Sequence, residues 1–140
     1  MFDKIALISI PVRDQQVAKS FYTTVLGCKV VQEMPFGTPD TLWIRLALPG
    51  VETEIVLATW FPQVSPGCTQ GLVLATNDIV KAHTELKRRG LEISAVKDQP
   101  WAREATFSDP DGNGWVLQQS AAPRPLCPGP TEEATMAISP

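Results

Sequence analysis

Glu104-Ala105-Thr106-Phe107-Ser108, Asp109-Pro110-Asp111-Gly112-Asn113, Gly114-Trp115-Val116-Leu117-Gln118-Gln119: this stretch reads as strand, tight turn, strand. Proline presets φ for a turn, aspartate side chains close it locally, and glycine and asparagine tolerate positive φ. Apolar and polar residues alternate on both sides, which is the strand period.

Working outward, a second signature lies near the N-terminus: Pro11-Val12-Arg13-Asp14, then Phe21-Tyr22, then Leu26-Gly27. Ile5 to Val12 is an apolar run that suits a strand. Asp14 is a good N-cap. Val17, Ala18, Phe21, Tyr22 and Val25 recur at helical spacing, and Gly27 stops the helix. Lys29 to Met34 reads as a strand, Thr38-Pro39-Asp40 as a turn, and Thr41 to Leu48 and Glu54 to Thr59 as strands around Pro49-Gly50. The order is β-α-β-β-β.

The order then recurs. Gly71 to Thr76 is a strand, Asp78 an N-cap, and Val80, His83, Thr84 and Leu86 lie along a helix ended by Gly90. Glu92 to Val96 is a short strand, and the opening hairpin supplies the last two. Sliding one half onto the other superposes Asp14 on Asp78, Ala18 on Ala82 and Tyr22 on Leu86. This is a duplicated architecture with weak identity.

The two signatures and the duplication resemble the glyoxalase/bleomycin-resistance/ring-cleaving-dioxygenase superfamily, the vicinal oxygen chelate fold. The resemblance covers residues 4 to 119. It implies an α+β fold: two βαβββ modules, residues 4–60 and 70–119, forming a half-barrel in a single domain of residues 1–120. Helices lie outside and a ligand cavity inside. Family members commonly dimerise, side by side or by exchanging modules, so a homodimer is expected. Pro123, Pro125, Pro128, Pro130 and Pro140 interrupt a stretch of little periodicity, and residues 121–140 are expected to be a flexible tail.

On such a fold the strand period sorts residues by face. Ala6, Ile8, Ile10, Leu42, Ile44, Leu46, Leu48, Ile55 and Leu57 go to the helix side. Leu7, Ser9, Trp43, Arg45, Ala47, Glu54, Val56, Ala58 and Trp60 face inward. So do Gly71, Val73, Ala75, Glu104, Thr106, Val116 and Gln118 in the second module.

Metal-dependent members carry His, Gln or Glu at four matched strand positions. Carried over, these fall on Leu7, Val56, Gly71 and Val116, none of which offers a donor to a divalent cation. The single histidine, His83, is placed mid-helix. No metal and no cofactor are expected. What remains is an apolar pocket with Trp43, Trp60 and Trp101 as flat surfaces for a planar ligand. Arg45 and Glu104 are its expected polar centre, as a structural ion pair or with Arg45 holding an anionic or carbonyl group and Glu104 acting as a general base. Ser9 and Gln118 are placed to orient a ligand, with Val56 and Thr106 lining it. Arg103 competes with Arg45, one residue out of phase with Glu104.

The expected function is metal-free binding of a planar or aromatic small molecule, in the manner of antibiotic-resistance proteins. The alternatives are a metal-independent isomerase, lyase or cyclase using Glu104, and a metal-dependent glyoxalase, dioxygenase or epimerase, which the four positions oppose. Whether the chain is an enzyme is left open.

Composition agrees. A hydrophobic content of 44% suits a globular domain, and a net charge of −3 with no basic run except Lys87-Arg88-Arg89 speaks against nucleic acid. No apolar run approaches the ~20 residues of a membrane span. The N-terminus lacks the pattern of a signal peptide. Cys28, Cys68 and Cys127 have no paired spacing, which suits a reducing compartment and a cytoplasmic location. Phosphate-binding glycine loops, nucleophile elbows and Cys-x-x-Cys are absent from the sequence.

Overall fold

The computed structural model describes residues 1–120; the tail expected at 121–140 lies outside them. The elements run β1 (Leu7–Pro11), α1 (Gln15–Thr24), β2 (Lys29–Phe36), β3 (Thr38–Ala47), β4 (Glu54–Ala58), β5 (Leu72–Ala75), α2 (Ile79–Arg88), β6 (Lys97–Asp98), β7 (Ala102–Ser108) and β8 (Gly114–Ser120). They form two four-stranded mixed sheets of matching order, β1-β4-β3-β2 and β5-β8-β7-β6. In each, the first strand runs parallel to the last and the remaining pairs are antiparallel. This is the twice-repeated βαβββ order of the glyoxalase/bleomycin-resistance fold.

The helices begin and end for the local reasons the sequence offers. Asp14 accepts from the backbone N–H of Gln16 and Val17, and Asp78 from that of Lys81. Gly27 and Gly90 take φ of 75° and 92°, which a side chain disfavours. Each helix lays an apolar stripe on its sheet. Ala18 and Tyr22 from α1 and Ile79 and Leu86 from α2 meet Ile10, Ile44, Leu46, Leu48, Ile55, Leu57, Phe107, Trp115 and Leu117 in one core that spans both modules.

Three local expectations are corrected. Chain reversal occurs at Gly37, φ 81°, and Thr38-Pro39-Asp40 already belongs to β3. Ile5 and Ala6 precede β1, and both are exposed. The expected strand Glu92–Val96 is reduced to the bridge Ile93–Phe107, and the edge strand falls on Lys97–Asp98. Pairing at Ser94 is one-sided: its N–H donates to the Thr106 carbonyl at 2.9 Å, while Thr106 N–H donates to the Ser94 hydroxyl at 2.9 Å and the Ser94 carbonyl faces His83 instead.

The Asp109–Asn113 turn does more than reverse the chain. Asp109 Oδ1 accepts from the N–H of Asp111 and Asn113, each at 2.9 Å, and Gly112 takes φ 98°. Asn113 Nδ2 donates to Asp109 Oδ2 and to the carbonyl of Pro11, each at 2.8 Å, and Arg13 N–H donates to Asp111 Oδ1 at 2.9 Å. The two sequence signatures thus meet and join the modules.

Candidate functional site

Both sheets turn one face to the helices and one away. Register places four side chains in a row across the open face of the first sheet: Ser9 opposite Val56, Val56 opposite Arg45, and Arg45 opposite Gln32. In the second sheet the matching rows are Val73, Val116 and Thr106, then Ala75, Gln118, Glu104 and Lys97. The assignment of Ser9, Arg45, Val56, Thr106, Glu104 and Gln118 to the faces away from the helices follows from strand alternation, but Val56 is fully buried and offers no surface of its own to a ligand.

Beside Arg45, Trp43 and Trp60 stack with ring centroids 5.8 Å apart and planes 21° from parallel. Phe36 packs at 4.6 Å on Trp60 and 5.4 Å on Trp43, and Phe61 at 5.9 Å on Trp60. The Trp43 indole N–H donates to Gln32 Oε1 at 2.9 Å, which fixes the ring. Phe36 and Phe61 keep 41% and 44% of their surface exposed, so the cluster presents aromatic surface to solvent. Trp101 stands in the second module before β7 and has no ring contact with this cluster among the described residues.

Gln32, Phe36 and Phe61 were not expected from the sequence. Register shifts between Val30 and Gln32 and between Pro35 and Phe36 displace the simple alternation of β2. Glu33 consequently turns to the helix side, where Lys19 of α1 bonds it at 2.9 Å, and Gln32 turns to the open face. A bulge of this kind leaves no mark in the hydrophobic pattern.

The expected Arg45–Glu104 pair does not form. Arg45 Nε donates to Glu54 on the neighbouring strand, and Gln118 Nε2 donates to Glu104 Oε2 at 2.7 Å. The two residues lie on separate sheets, and each has a nearer partner on its own. Arg103 bonds Asp98 at 2.8 Å on the face opposite to Glu104.

A second polar device braces the first sheet from behind. β3 and β4 pair only at Arg45–Val56 and Leu46–Ile55. Beyond that, the buried Gln15 spans the gap. Its Nε2 donates to the carbonyls of Leu42 at 2.6 Å and Leu57 at 2.8 Å, and its Oε1 accepts from Leu42 N–H at 3.1 Å. An amide here replaces a stretch of ladder directly behind Trp43.

The residues present do not fit a divalent cation. Leu7, Val56, Gly71 and Val116 supply no donor, and the neighbouring carboxylates Glu54 and Glu104 are engaged by Arg45 and Gln118. Among the described residues no three His, Cys, Asp or Glu side chains converge. His83 sits on α2 with Nε2 2.8 Å from the carbonyl of Ser94.

Strong electrostatic perturbation lies away from the open faces. Burial, then the charge of Asp109, raises the Tyr22 phenol far above its ordinary range. Burial pushes the Cys28 thiol up to about 12. Hydrogen bonds from Arg88 and Arg89 lower Glu85 to about 2 at the surface of α2.

Residues 4–117 match the Glyoxalase/Bleomycin resistance protein/Dioxygenase superfamily, and the chain belongs to it. It is similar to the crystal structure of TnmS3, an antibiotic binding protein from Streptomyces sp. CB03234. Identity there is 38%, the TM-score is 0.78, and 86% of this chain and 98% of that one are covered. A glyoxalase/bleomycin resistance protein from the same strain is 40% identical with a TM-score of 0.72, covering 83% of this chain and 100% of that one. The Bacillus subtilis (strain 168) protein YetH, itself uncharacterised, is 29% identical over 124 residues, 85% of this chain and 100% of its own. No helix among the described residues is long and apolar enough to cross a membrane.

Proposed function

We propose that this protein binds a planar or aromatic small molecule against the open face of its first sheet, without a metal or cofactor. One observation carries the reading: the stacked Trp43–Trp60 pair, extended by Phe36 and Phe61, exposes aromatic surface where a binding face is expected. Flat rings of this kind hold a planar ligand by stacking. Ser9 and Arg45 complete the proposed lining on this face, over the buried Val56, and Thr106 and Gln118 offer further polar groups on the open face of the second sheet, within a single domain of residues 1–120. TnmS3, described as an antibiotic binding protein, supports this class of ligand.

The test is titration with acridone, an uncharged planar probe, followed by tryptophan fluorescence and calorimetry with EDTA present. Saturable binding, weakened by about 1–3 kcal/mol in Trp43→Ala, supports the reading. Absence of saturable binding, or loss of binding on chelation, ends it.

We further propose a homodimer, because Val30, Val31, Met34 and Phe36 leave a long apolar edge exposed on β2. Monomer mass in light scattering at micromolar concentration opposes this. A metal-independent isomerase, lyase or cyclase is the second reading. It is favoured by Glu104, a carboxylate on an open face that Gln118 engages through Oε2. Turnover that Glu104→Gln abolishes with affinity retained would establish it.

A further inference from the structure

Arg45 is the one cation in the row beside the tryptophan stack, and it is not free. Glu54 lies diagonally across from it on β4, two residues before its register partner Val56, so both side chains share the open face. The pair is half-buried, with 30% of the Arg45 side chain and 22% of the Glu54 side chain exposed. Trp43 stands two residues before Arg45 on the same strand face. A rigid tricyclic ligand lying on Trp43 therefore brings its edge to this ion pair.

Two cases follow from that placement. An uncharged edge group leaves the pair intact. An anionic group reaching Arg45 meets a guanidinium whose charge Glu54 already balances through Nε, with the Glu54 carboxylate half-buried close beside it. Attraction to the guanidinium is then offset by repulsion from the adjacent carboxylate, so the anion gains little net binding. The second sheet does not alter the balance, since its row holds Glu104 opposite Lys97.

We propose that Glu54 is the residue that sets the charge class of the ligand: by occupying Arg45 it makes the site accept uncharged planar molecules and refuse anionic ones. This rests on the aromatic-ligand reading above.

The experiment compares two tricyclic probes of similar shape, acridone and anthracene carboxylate, by calorimetric titration of the full chain. The wild type binds acridone at least about tenfold more tightly than the carboxylate. Glu54→Gln keeps acridone affinity within about threefold and strengthens carboxylate binding by about tenfold or more, as a charge-assisted contact to the released guanidinium requires. The double variant Glu54→Gln with Arg45→Gln loses that gain. An Arg–Glu pair serving only to tie β3 to β4 does not produce this reversal. Arg45→Gln alone, which leaves Glu54 unpaired, strengthens binding of the cation aminoacridine and keeps the proposal testable if Glu54→Gln does not fold. Equal affinity of the wild type for the two acridone and carboxylate probes overturns the proposal, as does an unchanged ratio in Glu54→Gln. Failure of every probe to bind the wild type overturns instead the aromatic-ligand reading, and the proposal with it.

Discussion

Tyr22 Oη donates a 2.7 Å hydrogen bond to Asp109 Oδ2 across 87 residues of sequence. Tyr22 comes from the first helix and Asp109 opens the turn of the last hairpin. The Trp115 indole N–H donates in turn to Tyr22 Oη at 3.1 Å, and Asn113 Nδ2 ties Asp109 to Pro11. All four side chains are buried. The modules are therefore held by a satisfied polar network as well as by a shared apolar core. Such networks specify one docking geometry where apolar packing alone tolerates sliding.

Tyr22→Phe keeps the ring and removes only the hydroxyl. Asp109 loses a donor and Trp115 loses an acceptor, both in the interior. The expected cost is about 1–3 kcal/mol, read as a lower urea midpoint with an unchanged slope. A variant as stable as the wild type would show that water replaces the hydroxyl.

Gln15→Leu removes the amide that stands in for the β3–β4 ladder. It is close in volume, so packing is nearly kept, while Leu42 and Leu57 lose three hydrogen bonds. A loss of at least about 2 kcal/mol is expected, together with a weaker near-ultraviolet circular dichroism band from the Trp43–Trp60 stack on the far side of the sheet. Loss of stability with an unchanged band would show that the brace does not govern the rings.

The residues legible in the sequence are those whose role is local. Asp14 and Asp78 cap helices, Leu42, Ile44, Leu46 and Leu48 alternate into the core, and the Asp109–Asn113 turn announces itself by composition. Alternation along β3 puts Trp43 on the face away from the helices, whereas Trp60 lies beyond the end of β4 and meets it only through the ring stack. The partner of Arg45 was not legible. Glu54 and Glu104 both qualify by strand phase, and only the separation of the two sheets decides between them. The places of Gln32 and Phe36 were not legible, because the register shifts in β2 depend on partner strands. The double role of Tyr22, one face in the core and one hydroxyl on Asp109, is likewise a property of the folded pair.

Cys28 and Cys68 are expected to differ in reactivity. Cys28 is buried and its thiol is pushed up to about 12, whereas Cys68 is exposed. The thiolate is the reactive form. Iodoacetamide at pH 8 should label Cys68 in the native protein and Cys28 only after denaturation, as peptide mass spectrometry resolves. The same burial links stability to pH. The folded value lies above the unfolded one of about 8.5, so the protonated thiol is the form that folding favours. Its contribution is fully present below about pH 8.5 and is lost as pH rises towards 12, at up to about 1.4 kcal/mol per pH unit. Tyr22 acts in the same direction from a higher starting value. The urea midpoint should therefore fall between about pH 8.5 and 10.5, and Cys28→Ala should flatten the first part of that fall. A midpoint constant across the window, or rapid native labelling of Cys28, would mean that the loop after Gly27 opens and exposes the thiol to water.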